Sequence, residues 1–128
     1  MSYAVTTAGI SSEMVCDVLV QSSEQRFGAV SHLQHMIEWF TDNGSCYIAH
    51  PTRIFAQSLG FLICTTPIRS PQSNGMAEAF VKTFKRDYVY LNDVPDAETV
   101  MRCLPIWIED YNCNHPHSGL KIKSPREF

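Results

Sequence analysis

Apolar residues recur along this chain at two spacings, and the switching between them predicts its elements. Tyr3-Ala4-Val5-Thr6-Thr7 is short and β-prone and predicts a strand. Ser11-Ser12-Glu13 then offers an N-cap with an acidic first turn. Val15, Val18 and Leu19 recur at helical spacing, so the pattern predicts a helix over 12–27 that Gly28 ends. Met36-Ile37-Glu38-Trp39-Phe40 predicts a second strand, and Thr41-Asp42-Asn43-Gly44-Ser45 is turn chemistry at its end. Pro51 suits a first helical position. Ile54, Phe55 and Leu59 make an apolar stripe, Gly60 stops it, and Phe61 to Thr65 predicts a third strand closed by Pro67.

The strongest helical pattern covers 73–91, where Met76, Phe80, Phe84 and Tyr88 repeat every four residues. Asp96 is placed to cap a last helix through Tyr111. Pro105 lies inside that helix, removes a backbone donor and predicts a kink. Ser124-Pro125-Arg126-Glu127 has the form of a capping box with proline at the first position. Strands alternating with helices imply an α/β layered domain.

At 128 residues, one domain is expected. Hydrophobic residues at 45% against charged residues at 18% exclude a disordered chain. The formal charge of −3 excludes a polycation that coats nucleic acid indiscriminately, so any nucleic-acid contact must be local. No apolar run has the length of a membrane span, and the N-terminus lacks a signal-peptide pattern. The five cysteines are odd in number and contain no C-x-x-C, which fits reduced thiols in a cytoplasm. Cys113, His115 and His117 alternate too closely for a zinc finger. His35 and His50 read as surface residues, and Trp39 and Trp107 as core.

Two carboxylates carry the candidate chemistry. Asp42 stands where a strand ends, the position at which α/β sheets place their sites, although alone it reads as an Asx-turn residue. Glu78 lies on a predicted helix with Lys82 about 40° to one side and Lys85 about 20° to the other. Phe80 and Phe84 fall on the opposite side. Alone, Glu78 and Lys82 read as a solvated ion pair. Between Asp42 and Glu78 lie 35 residues, Lys85 follows Glu78 by seven, and Asn74-Gly75 permits a tight entry into the helix. A strand-end Asp and a helix-face Glu can converge on a pair of divalent ions, and oxygen-only ligands favour Mg2+ or Mn2+. Arg69, Lys82, Lys85 and Arg86 form a local basic cluster suited to phosphates.

The segments T-D-N-G-S, S-P-Q-S-N-G-M-A-E-A-F-V-K-T-F-K-R-D-Y, Y-N-C-N-H-P-H-S-G-L and S-P-R-E-F follow in this order. Together they resemble the catalytic core of insertion-sequence transposases (OrfB type) of the retroviral-integrase class. The likeness runs from Tyr3 to Phe128. It implies a ribonuclease-H-like α/β fold with a mixed sheet flanked by helices, and a triad of two Asp and one Glu. It implies metal-dependent nicking at element ends followed by strand transfer. Asp42 would be the second acid and Glu78 the third. Lys85 would contact DNA, and Asn43, Gly44, Asn74 and Gly75 would shape the walls of the site. Tyr111, Asn112, Pro116 and His117 would serve packing and site shaping.

The resemblance also implies a first Asp on a strand upstream of Tyr3–Thr7. Asp17, the nearest acid, lies in a helical pattern and is no substitute. The expectation is therefore one integrase-type core domain over 1–128, N-terminally truncated and missing its first two strands, with weak or absent activity as a lone chain. The alternatives are a non-catalytic module that binds DNA or interferes with a full-length transposase, and a decayed gene remnant. The expected partners are DNA at element ends and target, with full-length transposase or self-association, in a bacterial cytoplasm and away from any membrane.

Overall fold

The computed structural model describes residues 2–29, 31–65 and 75–128. The chain divides into two compact units, Met1–Lys82 and Thr83–Phe128.

In the first unit, helix α1 spans Ser12–Phe27. The Ser11 side chain accepts from the Met14 N–H at its start, and the Gly28 N–H closes on the Glu24 carbonyl at its end. Strand β1 is Ile37–Thr41 and strand β2 is Phe61–Thr65, paired in parallel with Ile37 opposite Phe61 and Thr41 opposite Thr65. Between them run the short helix α2, Ser45–Ile48, and helix α3, His50–Leu59, with Pro51 in its first turn. Gly60 ends α3 in the left-handed region at φ 99°. A β-carbon there would stand 3.1 Å from the His32 ring and 3.2 Å from Leu33, so the helix-to-strand corner needs glycine twice over.

Strand alternation explains the packing. Trp39 and Ile63 face inward with Phe61 and pack on Val15 and Leu19 of α1 and Ala56 and Leu59 of α3, which form the buried core. The other face of the strand pair carries Glu38, Phe40 and Leu62, all exposed. Fully buried Thr52 donates its hydroxyl to the Cys46 carbonyl at 2.8 Å, tying α3 to α2.

Tyr3–Thr7 does not form the expected strand. Its β-propensity is satisfied only by a neighbouring strand, and among the described residues none pairs with it. Pro67 lies outside the described residues.

Helix α4, Gly75–Phe84, is followed by a π-helical turn at Lys85–Val89, closed by the Tyr90 N–H on the Lys85 carbonyl at 2.9 Å. The sequence expects one continuous α-helix here. In an α-helix every fourth residue drifts about 40° around the axis. The wider π winding takes up that drift, and the Phe84 and Tyr88 rings stack at 4.9 Å. The drift also breaks the expected stripe at its other end, where Met76 is 91% exposed.

In the second unit, helix α5 spans Ala97–Asn114, three residues beyond the expected end, with the Asp96 carboxylate accepting from the Thr99 N–H at 2.7 Å. It runs past Pro105. The carbonyl that proline leaves without its helical donor belongs to exposed Met101, where solvent can bond it. Phe84, Leu104 and Tyr111 are buried, with Tyr88 and Trp107 against them.

The C-terminal segment is tied back onto α5. The Arg126 guanidinium grips the Glu109 carboxylate with both terminal nitrogens, and the Arg126 N–H donates to the Asn112 carbonyl at 2.9 Å. Ser124, almost fully buried, donates both its N–H and its hydroxyl to Glu127 at 2.9 Å. The expected Ser-Glu pairing therefore exists, as a turn in which the hydroxyl donates, and not as the start of a helix.

Candidate active site

β1 delivers Asp42 one residue past its end, half-buried. The side chain turns back on its own loop, and Oδ1 accepts from the Gly44 N–H at 2.8 Å. That bond is the Asx-turn expected of T-D-N-G-S, and it fixes one carboxylate oxygen, while the other has no hydrogen bond among the described residues. A β-carbon at position 44 would stand 2.9 Å from Asp42 Oδ1 and 3.2 Å from the Tyr47 ring. Gly44 is thus the residue that lets the carboxylate lie where it does.

Tyr47 closes the back of this loop. Its ring meets Trp39 edge-on at 6.1 Å. Burial pushes its hydroxyl pKa up, with Cys46 and the Asp42 carboxylate adding to the effect. Thr41, directly before Asp42, is buried, and its hydroxyl has no hydrogen-bond partner among the described residues. Sequence reasoning did not single out Thr41 or Tyr47. The alternation in Trp39-Phe40-Thr41 carries a signal for Thr41, since it puts Thr41 on the core side with Trp39. Asn43 is exposed beside them.

Glu78 stands exposed in the first turn of α4, with Lys82 exposed one turn later and Lys85 exposed at the first position of the π turn. Gly75 opens α4, and a β-carbon there would meet nothing within 4 Å among the described residues. Asn74 and Arg69 lie outside the described residues. Arg86 is engaged inside the chain, with Nε 2.5 Å and Nη2 2.7 Å from the two Asp87 oxygens. Among the described residues of the expected cluster, Lys82 and Lys85 are therefore the cations best placed for an external phosphate.

Asp42 and Glu78 are oxygen donors of the kind that suits Mg2+ or Mn2+. In kind they fit such an ion, and in number they are two. No group of three or more His, Cys, Asp and Glu residues gathers to hold a metal among the described residues. Asp17 is exposed on α1.

The residues of the Y-N-C-N-H-P-H segment pack on one another. His115 stacks on Tyr111 at 4.8 Å and His117 meets Tyr111 edge-on at 5.0 Å, while Cys113 lies 3.1 Å from Arg126. Tyr88 donates its hydroxyl to Asp110 at 2.7 Å, and Asn114 donates to the other Asp110 oxygen at 2.8 Å. Burial, and then the Asp110 carboxylate, push the Tyr88 hydroxyl far above its ordinary pKa.

Comparison with known proteins follows the same lines. Residues 60–125 match the integrase core domain family. An uncharacterized protein of insertion element IS136 from Agrobacterium fabrum is 54% identical over 125 residues, covering 98% of this chain and 64% of that protein. The InsD transposase of insertion element IS2D from Escherichia coli is 49% identical over 128 residues, the whole of this chain and 42% of that protein. The chain thus spans less than two thirds of the length of these relatives. Among solved structures, the catalytic core domain of BIV integrase superposes with a TM-score of 0.60 at 23% identity, over 91% of this chain and 69% of that one. That likeness confirms the expected ribonuclease-H-like α/β class.

Proposed function

This chain belongs to the integrase-core family of insertion-element transposases, and we propose on that premise that it contributes Asp42 and Glu78 to a metal-dependent site for DNA cleavage and strand transfer. The observation that carries this reading is Asp42, half-buried at the carboxyl end of β1, with one oxygen held by Gly44 and the other without a hydrogen bond among the described residues. Glu78 supplies a second carboxylate from α4. Lys82 and Lys85 hold the phosphates of the strand beside them, and Asn43, Gly44 and Gly75 shape the entry. A bound divalent ion would activate the attacking oxygen and steady the leaving one. We read 1–128 as part of one catalytic core domain, with low activity for the chain by itself. Its partner is DNA, at element ends and at the target.

The test is nicking and joining of a labelled duplex in Mg2+ and in Mn2+ by the parent chain, Asp42→Asn and Glu78→Gln. Both variants are expected to lose metal-dependent cutting while keeping the circular dichroism of the parent. An Asp42→Asn chain that cuts as well as its parent overturns the site.

One observation favours a second reading, in which the chain binds DNA without cutting it. Among the described residues no group of three or more His, Cys, Asp and Glu side chains gathers to hold a metal. Salt-sensitive binding with no metal-dependent cutting in the parent is its signature.

A further inference from the structure

The segment from His117 to Lys123 is a tight turn with unusual backbone geometry. The His117 N–H donates to the Lys123 carbonyl at 3.0 Å, and the His117 carbonyl accepts from Leu120 at 3.0 Å and from Ile122 at 2.9 Å. Two consecutive non-glycine residues occupy the left-handed region, Lys121 at φ 58° and Ile122 at φ 63°. For a β-branched residue that conformation is a genuine outlier, and turns of this kind ordinarily use Gly, Asn or Asp there. Ile122 gains no burial in return, since its side chain is 70% exposed.

The base of the turn is firmly held. Ser124 is buried and bound to Glu127, and Arg126 is fastened to Glu109 and to the Asn112 carbonyl. A strained, exposed, apolar tip on an anchored base points to function more than to folding. Lys121 and Lys123 flank that tip, both exposed, in a chain whose overall charge is negative. The carboxylate that feels the Lys123 charge is Glu127, and it is already bound by Ser124.

Two lysines bracketing a protruding branched apolar side chain match what a duplex offers. Phosphates line both rims of its narrow groove, and apolar wedges enter between base steps and partly unstack them. We propose that the His117–Lys123 turn is a DNA-contacting element in which Lys121 and Lys123 bind phosphates and Ile122 enters the groove as a wedge. The inference rests on the reading above that the chain works on DNA, and adds contact residues other than Asp42 and Glu78.

The experiment uses the full chain and a short random-sequence duplex carrying 2-aminopurine, whose emission rises when its base step opens. The parent is expected to bind with a salt-dependent affinity and to raise that emission. Ile122→Ala keeps the salt dependence and loses the emission rise. Ile122→Asn, which suits a left-handed backbone, does the same and guards against a folding defect in the alanine variant. The double variant Lys121→Gln/Lys123→Gln lowers the slope of log affinity against log salt by about two. Unchanged Trp107 emission in the free variants, read in a Trp39→Phe background, confirms an intact second unit.

If the parent does not bind DNA, this inference and the function above both fall. Binding by the parent with the same slope and the same emission rise in all these variants overturns the turn alone. A change in sedimentation with unaltered DNA binding reassigns it to a contact between copies of the chain.

Discussion

The Gly44 N–H donates to the Asp42 carboxylate at 2.8 Å, and a β-carbon on residue 44 would stand 2.9 Å from the same oxygen. The glycine both holds the acid and leaves it room. Gly44→Ala must displace the carboxylate, because Asp42 Oδ1 is the atom able to yield while Tyr47 is packed on Trp39. Supporting contacts of this kind are worth about ten- to a hundredfold in metal affinity. Gly44→Ala is expected to weaken Mn2+ binding by that factor in a calorimetric titration, with circular dichroism unchanged. Equal affinity in the variant would mean that this carboxylate does not ligate.

Thr41 lies one residue before Asp42 and faces the core with a hydroxyl that has no hydrogen-bond partner among the described residues. A buried hydroxyl without a partner costs roughly 1–3 kcal/mol of desolvation. Thr41→Val removes that group and keeps the branched shape. The expected result is a gain of about 1 kcal/mol in the urea unfolding free energy. A loss of stability would show that the hydroxyl is satisfied in solution.

Tyr88 is neutral and hydrogen-bonded to Asp110 in the folded chain, and its pKa is raised first by burial and then by that carboxylate. A raised folded pKa stabilises the protein fully below the unfolded tyrosine value of about 10, and the contribution is lost as pH climbs through the folded value. Burial raises Tyr47 and Tyr111 in the same direction. Urea midpoints should therefore hold level up to about pH 9 and fall above about pH 10. Tyr88→Phe is expected to start lower and to fall less steeply. A parallel pair of curves would contradict the assignment.

The acid side has the opposite sign. Asp96 is held below its usual range by the backbone N–H of Thr99, and Glu109 by Arg126. Depressed carboxylates stabilise above the unfolded value of about 4, and that contribution disappears as pH falls through the folded value. In a Trp39→Phe background, Trp107 emission reports the second unit. Its acid transition should lie below about pH 4. Asp96→Asn is expected to keep the cap and flatten this transition, since asparagine caps without titrating. Asp96→Ala should lower stability at neutral pH as well.

What could be read from the chain, and what could not, divides by the range of the interaction. Ser11, Gly28, Pro51 and Gly60 act within a turn of where they stand, and the helices they delimit form where the pattern puts them. Asp42 and Gly44 are likewise two residues apart, so their turn was visible in T-D-N-G-S. Tyr3–Thr7 has strand propensity, but a strand also needs a neighbour, which propensity cannot supply. The Tyr88 bond to Asp110 spans 22 residues and the Arg126 bond to Glu109 spans 17, and no local pattern announces either. The π turn escapes for a different reason. A repeat of four suits both windings over one or two turns, and only the stacking of Tyr88 on Phe84 decides between them.

Ile122 offers a last test, because its conformation sets stability against use. An L-residue with a β-carbon in the left-handed region costs roughly 1–2 kcal/mol, and exposed Ile122 recovers little of it by packing. Ile122→Gly relieves the strain but loosens the unfolded chain, which returns about 0.5–1 kcal/mol. The net expectation is a gain of about 1 kcal/mol, read as a rise of a few degrees in thermal midpoint. Lys121→Gly should behave alike for the same reason. The His117–Lys123 hydrogen bonds are backbone bonds and survive both changes. If the glycine variants melt higher and open DNA less, the strain is retained for contact. If they melt lower, the side chains brace the turn itself, and the protruding isoleucine is part of the fold.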